Sequence, residues 1–209
     1  MSATATAESR VAAVLQRYEA SDSALKLYRE ATRQAAGGQK FSAASSPAAF
    51  VALLAREGDP ADAVEFLARW LPPRQRIWWG CLALWHVYRP EPPAAVDTTL
   101  AALVHWVEEP SDENRRAART AGDVLGPRHP VGALALAAFW SEGSMSLPEL
   151  PEVLPPPGLS SQALASTLNL AVNSQPLDRS RDLYQHFVKL GLDVASEPMH
   201  WDLAAVQPE

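Results

Sequence analysis

Five histidines (His86, His105, His129, His186 and His200) and one cysteine, Cys81, are the side chains here best suited to hold a metal or attack a substrate. No two of the histidines stand four apart around a glutamate, and a single cysteine cannot form a ligand pair, so neither common zinc pattern is present. Gly37-Gly38-Gln39-Lys40 faintly resembles a phosphate loop. It follows a helical pattern with no strand before it, so it reads as a helix stop. There is no G-x-S-x-G nucleophile elbow. Cys81 lies in the most apolar stretch of the chain, where a thiolate is disfavoured, so it reads as a small, reduced core residue. Carboxylates gather at Asp59, Asp62 and Glu65 and again at Glu108, Glu109, Asp112 and Glu113. Both groups fall at helix starts and turns, where negative charge caps and solubilises. An enzyme built on this chain would have to bring distant groups together, for example His86, His105 and Glu108. The reading is therefore of a protein without catalytic residues, metal or cofactor.

Binding chemistry is better represented. Arg115, Arg116 and Arg119 make a basic patch on one helix, suited to an anion or an acidic partner, although Asp112 stands four residues before Arg116 and can pair with it. Seven tryptophans are many for this length: Trp70, Trp78, Trp79, Trp85, Trp106, Trp140 and Trp201. Most should pack in the core, and an exposed one would anchor an interface. Trp79 and Trp140 join the three arginines as candidate partner-binding residues. Overall the 18 Lys and Arg against 24 Asp and Glu give a net charge of −6, which disfavours a nucleic-acid partner bound through phosphates.

The elements that would position these groups are helices. Hydrophobic residues are 47% and charged residues 20% of 209, a balance that folds. Alanine is abundant, Ile77 is the only isoleucine, and no stretch alternates with the period of a strand. Helical signals recur around Val11–Tyr18, 21–36, 47–57, 61–70, 74–88, 94–109, 112–125, 130–140, 162–173 and 177–190, with a short last piece at 198–206. Prolines and glycines punctuate them. Ala117, Ala121, Val124 and Leu125 are the expected inner face of 112–125, Ser160-Ser161 the expected cap of 162–173, and Gly191 the expected stop of the helix before it. Residues 147–158, LPELPEVLPPPG, hold five prolines and predict an extended strap. Leu147, Leu150, Val153 and Leu154 are expected to anchor it across the protein's own helices.

The sum is an all-α fold, a compact domain of about eight to ten short helices. An irregular bundle and a solenoid-like stack of helix pairs both fit. Residues 1–40 form an N-terminal helical segment, and 41–209 the main domain. The apolar run Ile77–Tyr88 is 12 residues, too short to span a bilayer. Met1–Glu8 lacks the pattern of a secretory signal. A cytoplasmic protein is expected.

Three stretches, WWGCLA at 78–83, HWVEEPSDENRRAA at 105–118 and ALAAFWSEGSMSLPELPEVLPPPGLS at 135–160, resemble a bacterial family of helical proteins classed as a domain of unknown function. The resemblance spans roughly Pro47 to Leu190 and carries no activity or catalytic residues with it. Some members of that family are encoded near type VI secretion components, which implies an adaptor or chaperone role. Three readings remain open: a non-catalytic interaction protein, a helical module that binds a small molecule or peptide, and an enzyme with an unrecognised site. A broad exposed apolar patch would favour the first, a polar pocket with perturbed ionisation the last.

Overall fold

The computed structural model describes residues 60–196 and, ahead of them, Ala48, Val51, Ala52, Leu54 and Ala55. The helices expected before residue 37, the 1–40 segment, His200, Trp201 and the piece at 198–206 lie outside the described residues. Among residues 60–196 seven α-helices follow one another: α1 (Pro60–Trp70), α2 (Pro73–Tyr88), α3 (Ala94–Glu108), α4 (Asp112–Asp123), α5 (Pro130–Phe139), α6 (Leu159–Asn173) and α7 (Ser180–Ser196). A single 3-10 turn, Leu177–Arg179, precedes α7. Among the described residues there is no strand, and no helix is long and apolar enough to cross a membrane.

Pro60, Pro73 and Pro130 each open a helix. At that position a missing N–H is no loss and the fixed φ suits the turn. Helix α2 is the centre of the molecule. Every residue from Ile77 to Trp85 is buried, and α3, α5, α6 and α7 all pack against it. This is why its sequence is apolar all round. Trp78 and Trp79 point in different directions and both are buried. Trp79 donates its indole N–H to the carbonyl of Phe187 on α7, 2.8 Å away. A fully buried side chain of this class contributes about 1.5–3 kcal/mol, so α2 supplies much of the stability.

Close approach between helices explains the small residues. A Cβ on Gly132 of α5 would lie 2.2 Å from the carbonyl oxygen of Gly126, and one on Gly122 of α4 would lie 2.3 Å from Ala135. Only glycine lets α4 and α5 pack this tightly. Gly191 does not stop α7, as the sequence predicts. The helix runs on to Ser196, and Gly191 makes room for Leu67 and Trp79, which stand 2.8 and 3.0 Å from where its Cβ would be.

Two further expectations are corrected. The inner face of α4 is Arg115, Ala118 and Gly122, rotated from the predicted one; Ala117 is exposed and Val124, past the helix end, is 79% exposed. An arginine takes the core position because its charge is met there. At α6 the helix starts at Leu159, with Gly158 at φ 82° in the cap position and no side-chain cap. Ser160 and Ser161 lie inside it, and their hydroxyls donate to the carbonyls of Ala137 and Gly158.

Candidate functional site

The arginine patch becomes an internal fastening. Arg115 is 1% exposed. Its guanidinium donates to the carbonyl of Phe139, to Asp112 Oδ1 and, at 2.8 Å, to the carbonyl of Ser144. It also stacks over the Phe139 ring, 4.6 Å from the centroid, and Gly143, at φ 66°, packs against it. Arg116 donates to Asp112 Oδ2 at 2.6 Å and to the carbonyls of Ser144 and Ser146 at 3.2 and 2.7 Å. Arg119 pairs with Asp123 at 2.7 Å and lies 5.4 Å from the Phe139 centroid. The hydrogen bond from Arg116, helped by that from Arg115, holds the Asp112 carboxyl below its usual range, with burial opposing. Helix α4 thus ties down the chain that leaves α5. Arg115, expected to face a partner, is a core residue; Trp79 is too, at 0% exposure.

What the arginines tie down is the strap. Ser144 Oγ accepts the N–H groups of Ser146 and Val153 at 3.0 and 3.1 Å, and Met145 N–H bonds the Val153 carbonyl at 2.8 Å. The segment from 144 to 153 is therefore a closed loop. Its apolar side chains do not pack inward, as the sequence predicts. Leu147, Leu150, Val153 and Leu154 are 63, 58, 50 and 61% exposed. The strap is held by its backbone, through Arg115, Arg116 and Ser144, and this leaves its leucines outside. Four large apolar residues within eight positions make an exposed ridge, unlike the scattered single residues of an ordinary surface.

Where the strap runs into α6 there is a groove of about 540 Å3. Its walls include Arg69 from α1, Arg76 from the first turn of α2, Trp140 from the end of α5, Pro155–Pro157, and Ser161 and Gln162 from α6. Trp140 is half-buried, and of the five predicted partner-binding residues it lines this groove with Pro155–Pro157, while Arg116 lines a smaller one with Leu147, Pro148 and Leu150. Trp70, beside Phe66 at 6.5 Å between centroids, is 37% exposed.

Several other titratable groups are drawn into the packing. Burial pushes the Cys81 thiol up, away from nucleophilic use. Arg74 donates to the carbonyls of Val107 and Glu108, closing the end of α3. Glu108 has its pKa raised to about 7 by burial and by Glu109, with Arg74 opposing. His105 is exposed, and His86 stacks on His186 of α7, 3.7 Å between ring centroids. The predicted trio of His86, His105 and Glu108 is therefore not assembled into one site. Burial, then His86, Arg89 and Lys189, lower His186 to about 4. A second groove of about 330 Å3 runs beside this pair, between Arg179, Asp182 and Lys189. Lone pairs lie in the ring plane, so stacked imidazoles do not aim them at one point. Among the described residues no three His, Cys, Asp or Glu side chains gather to hold a metal ion.

Sequence reasoning missed Arg69 and Arg76. The signal was present: Pro73-Arg74-Gln75-Arg76 places two cations in the first turn of an otherwise apolar helix, the end where the macrodipole disfavours them. No curated protein and no solved structure matches the chain. One family model does match, over residues 50–195, a span that takes in the whole helical core, the strap and the groove. The chain belongs to that family, the family of unknown function DUF6931.

Proposed function

We propose that the protein works by holding a protein partner on the strap, and that it carries out no catalysis of its own. The observation that carries this reading is the ridge of Leu147, Leu150, Val153 and Leu154, exposed on a loop whose backbone is fixed from beneath by Arg115, Arg116 and Ser144. A fixed loop presents apolar side chains at little ordering cost on binding. Exposed apolar patches of this kind mark interaction surfaces. The ionisable clusters are turned to packing, which favours binding over chemistry. The buried free thiol of Cys81 suits the cytoplasm, and the net charge of −6 favours a protein over a nucleic acid.

In its narrower form the reading is of an adaptor or chaperone alongside a bacterial type VI secretion apparatus. The support for that step is the resemblance carried by residues 78–83, 105–118 and 135–160.

The test is crosslinked affinity purification from the native cell, with the parent and a Leu147→Asp, Leu150→Asp, Leu154→Asp triple variant side by side. Each captured protein is then purified and titrated directly. The reading expects a partner that binds the parent and is lost from the triple variant, and in its narrower form that partner is a secreted effector or a secretion component. A partner that binds both equally, or none at all, overturns it.

A further inference from the structure

Of the five arginines among the described residues that are at least half-buried or fully buried, four have a carboxylate nearby. Arg115 and Arg116 pair with Asp112, Arg119 pairs with Asp123, and Arg74 feels Glu108 and Glu142. Arg76 is the fifth. Its guanidinium meets only neutral acceptors, the Leu71 carbonyl at 2.9 Å and Ser160 Oγ at 3.4 Å. Its Nε is buried with no partner. A guanidinium offers five donors and cannot shed its charge at neutral pH, so a half-buried one without a counter-charge is an unmet cost.

The surroundings of Arg76 do not offset that charge; they add to it. Arg69 lines the same groove, and its ion pair with Glu65 is at the surface, with both side chains at least half exposed, so it is weak and exchangeable. Helix α6 begins in the groove with no side-chain cap. Gly158 has no side chain to give, and the Ser160 and Ser161 hydroxyls already donate to carbonyls. The positive end of α6 therefore faces the same space as the two arginines. Against this polar floor stand the Trp140 ring and the wall of Pro155–Pro157. The wall continues directly into Leu154 and Val153 of the exposed ridge.

We propose that this groove seats an acidic side chain of an extended partner segment, with the carboxylate on Arg76 and Arg69 and the flanking apolar residues on Trp140, the prolines and Leu154. The proposal rests on the reading of the strap as a partner-binding surface and names the chemistry of what it binds. A peptide fits better than a small anion because the groove is an open trough continuous with an apolar ridge, not an enclosed cavity. Two guanidiniums offer forked donors matched to a carboxylate.

The experiment titrates three probes into the 15N-labelled full chain: an amidated hexapeptide of alternating Glu and Leu, the same peptide with Gln for Glu, and inorganic phosphate. The readouts are the Arg76 Nε–H and the Ser160 and Ser161 amides. The Glu peptide is expected to move all three, about tenfold more tightly than the Gln peptide, and more weakly as salt rises. Arg76→Gln removes the response. Should that variant unfold, the comparison of the Glu and Gln peptides on the parent still decides. Equal binding of the two peptides overturns the proposal, as does phosphate binding where the Glu peptide does not, or no response to any probe. The triple ridge variant separates this from the parent reading. If it loses the cellular partner while the peptides leave the groove unmoved, the ridge stands and the groove falls. If the peptides bind at Arg76 while the partner ignores the ridge, the groove stands alone.

Discussion

Arg115 and Arg76 are both arginines in the first turn or so of a helix, and they stand in opposite circumstances. Arg115 is sealed in, and its donors reach one carboxylate and two carbonyls. Arg76 is half-buried, and among the described residues nothing charged answers it. The first fastens the fold. The second is left with capacity for something outside the chain. The difference shows that a run of basic residues visible in a sequence is weak evidence of a binding face. What counts is whether the chain itself has already supplied the opposite charge.

Substitutions can break this contrast. Arg115→Met should cost most, about 2–4 kcal/mol, because it strands the Phe139 carbonyl in the interior, removes the stack on the Phe139 ring and leaves Asp112 and the Ser144 carbonyl to Arg116 alone. Urea unfolding measures the loss, and amide exchange at Met145 should quicken as the strap loosens. A loss under about 1 kcal/mol would mean the fastening is not where stability lies. Next is the tight α4–α5 crossing that sets Arg115 in place. Gly132→Ala drives a Cβ into the Gly126 carbonyl, which as backbone cannot swing aside, and should cost about 2–3 kcal/mol. Thermal or urea unfolding checks it.

The acid limb gives a smaller effect. His186 is lowered to about 4 from 6.5, so between those values the unfolded chain takes up a proton that the folded one refuses. Stability at His186 is complete above about pH 6.5 and falls as pH drops toward 4, by about 1–2 kcal/mol after solvent screening. Glu108, raised to about 7, acts in the other direction and loses stability as pH rises from 4.5 to 7. A His186→Gln variant keeps the Glu108 contribution and loses the first, so the parent minus variant difference should shrink from pH 7 to pH 5. An unchanged difference would contradict the shift. Smallest are the ridge substitutions. Leu147→Asp, Leu150→Asp and Leu154→Asp should each stay within about 0.5 kcal/mol of the parent, because the side chains are already in water.

Much of the scaffold was legible in the sequence. Proline and glycine punctuation placed the helices between 60 and 190, and the most apolar run, 77–88, falls in the helix that the structure places at the centre. Two kinds of feature were not legible. Gly191 reads as a stop because local signals cannot show that Leu67 and Trp79, distant in the chain, need the space a Cβ would fill. The face of α4 was misjudged because hydropathy assigns arginine to solvent, and only the fold brings Phe139, Ser144 and Asp112 to it. The strap failed for the same reason in reverse. Leu147, Leu150 and Leu154 promise burial, but Arg115, Arg116 and Ser144 hold the backbone and leave the leucines exposed. As for the site, Trp140 is among the candidates the sequence offers, while Arg76 sits in the first turn of the helix that holds the most apolar stretch of the chain, where hydropathy points to core and not to a groove.

The central claim, that Arg76 is kept for a partner and not for the fold, meets its most direct test in the unfolding free energy of Arg76→Met in urea. The account predicts a value equal to or above that of the parent, since the variant exchanges an unanswered, desolvated charge for an apolar chain of similar reach. A loss of about 2 kcal/mol or more would contradict it and would make Arg76, like Arg115, part of the fastening.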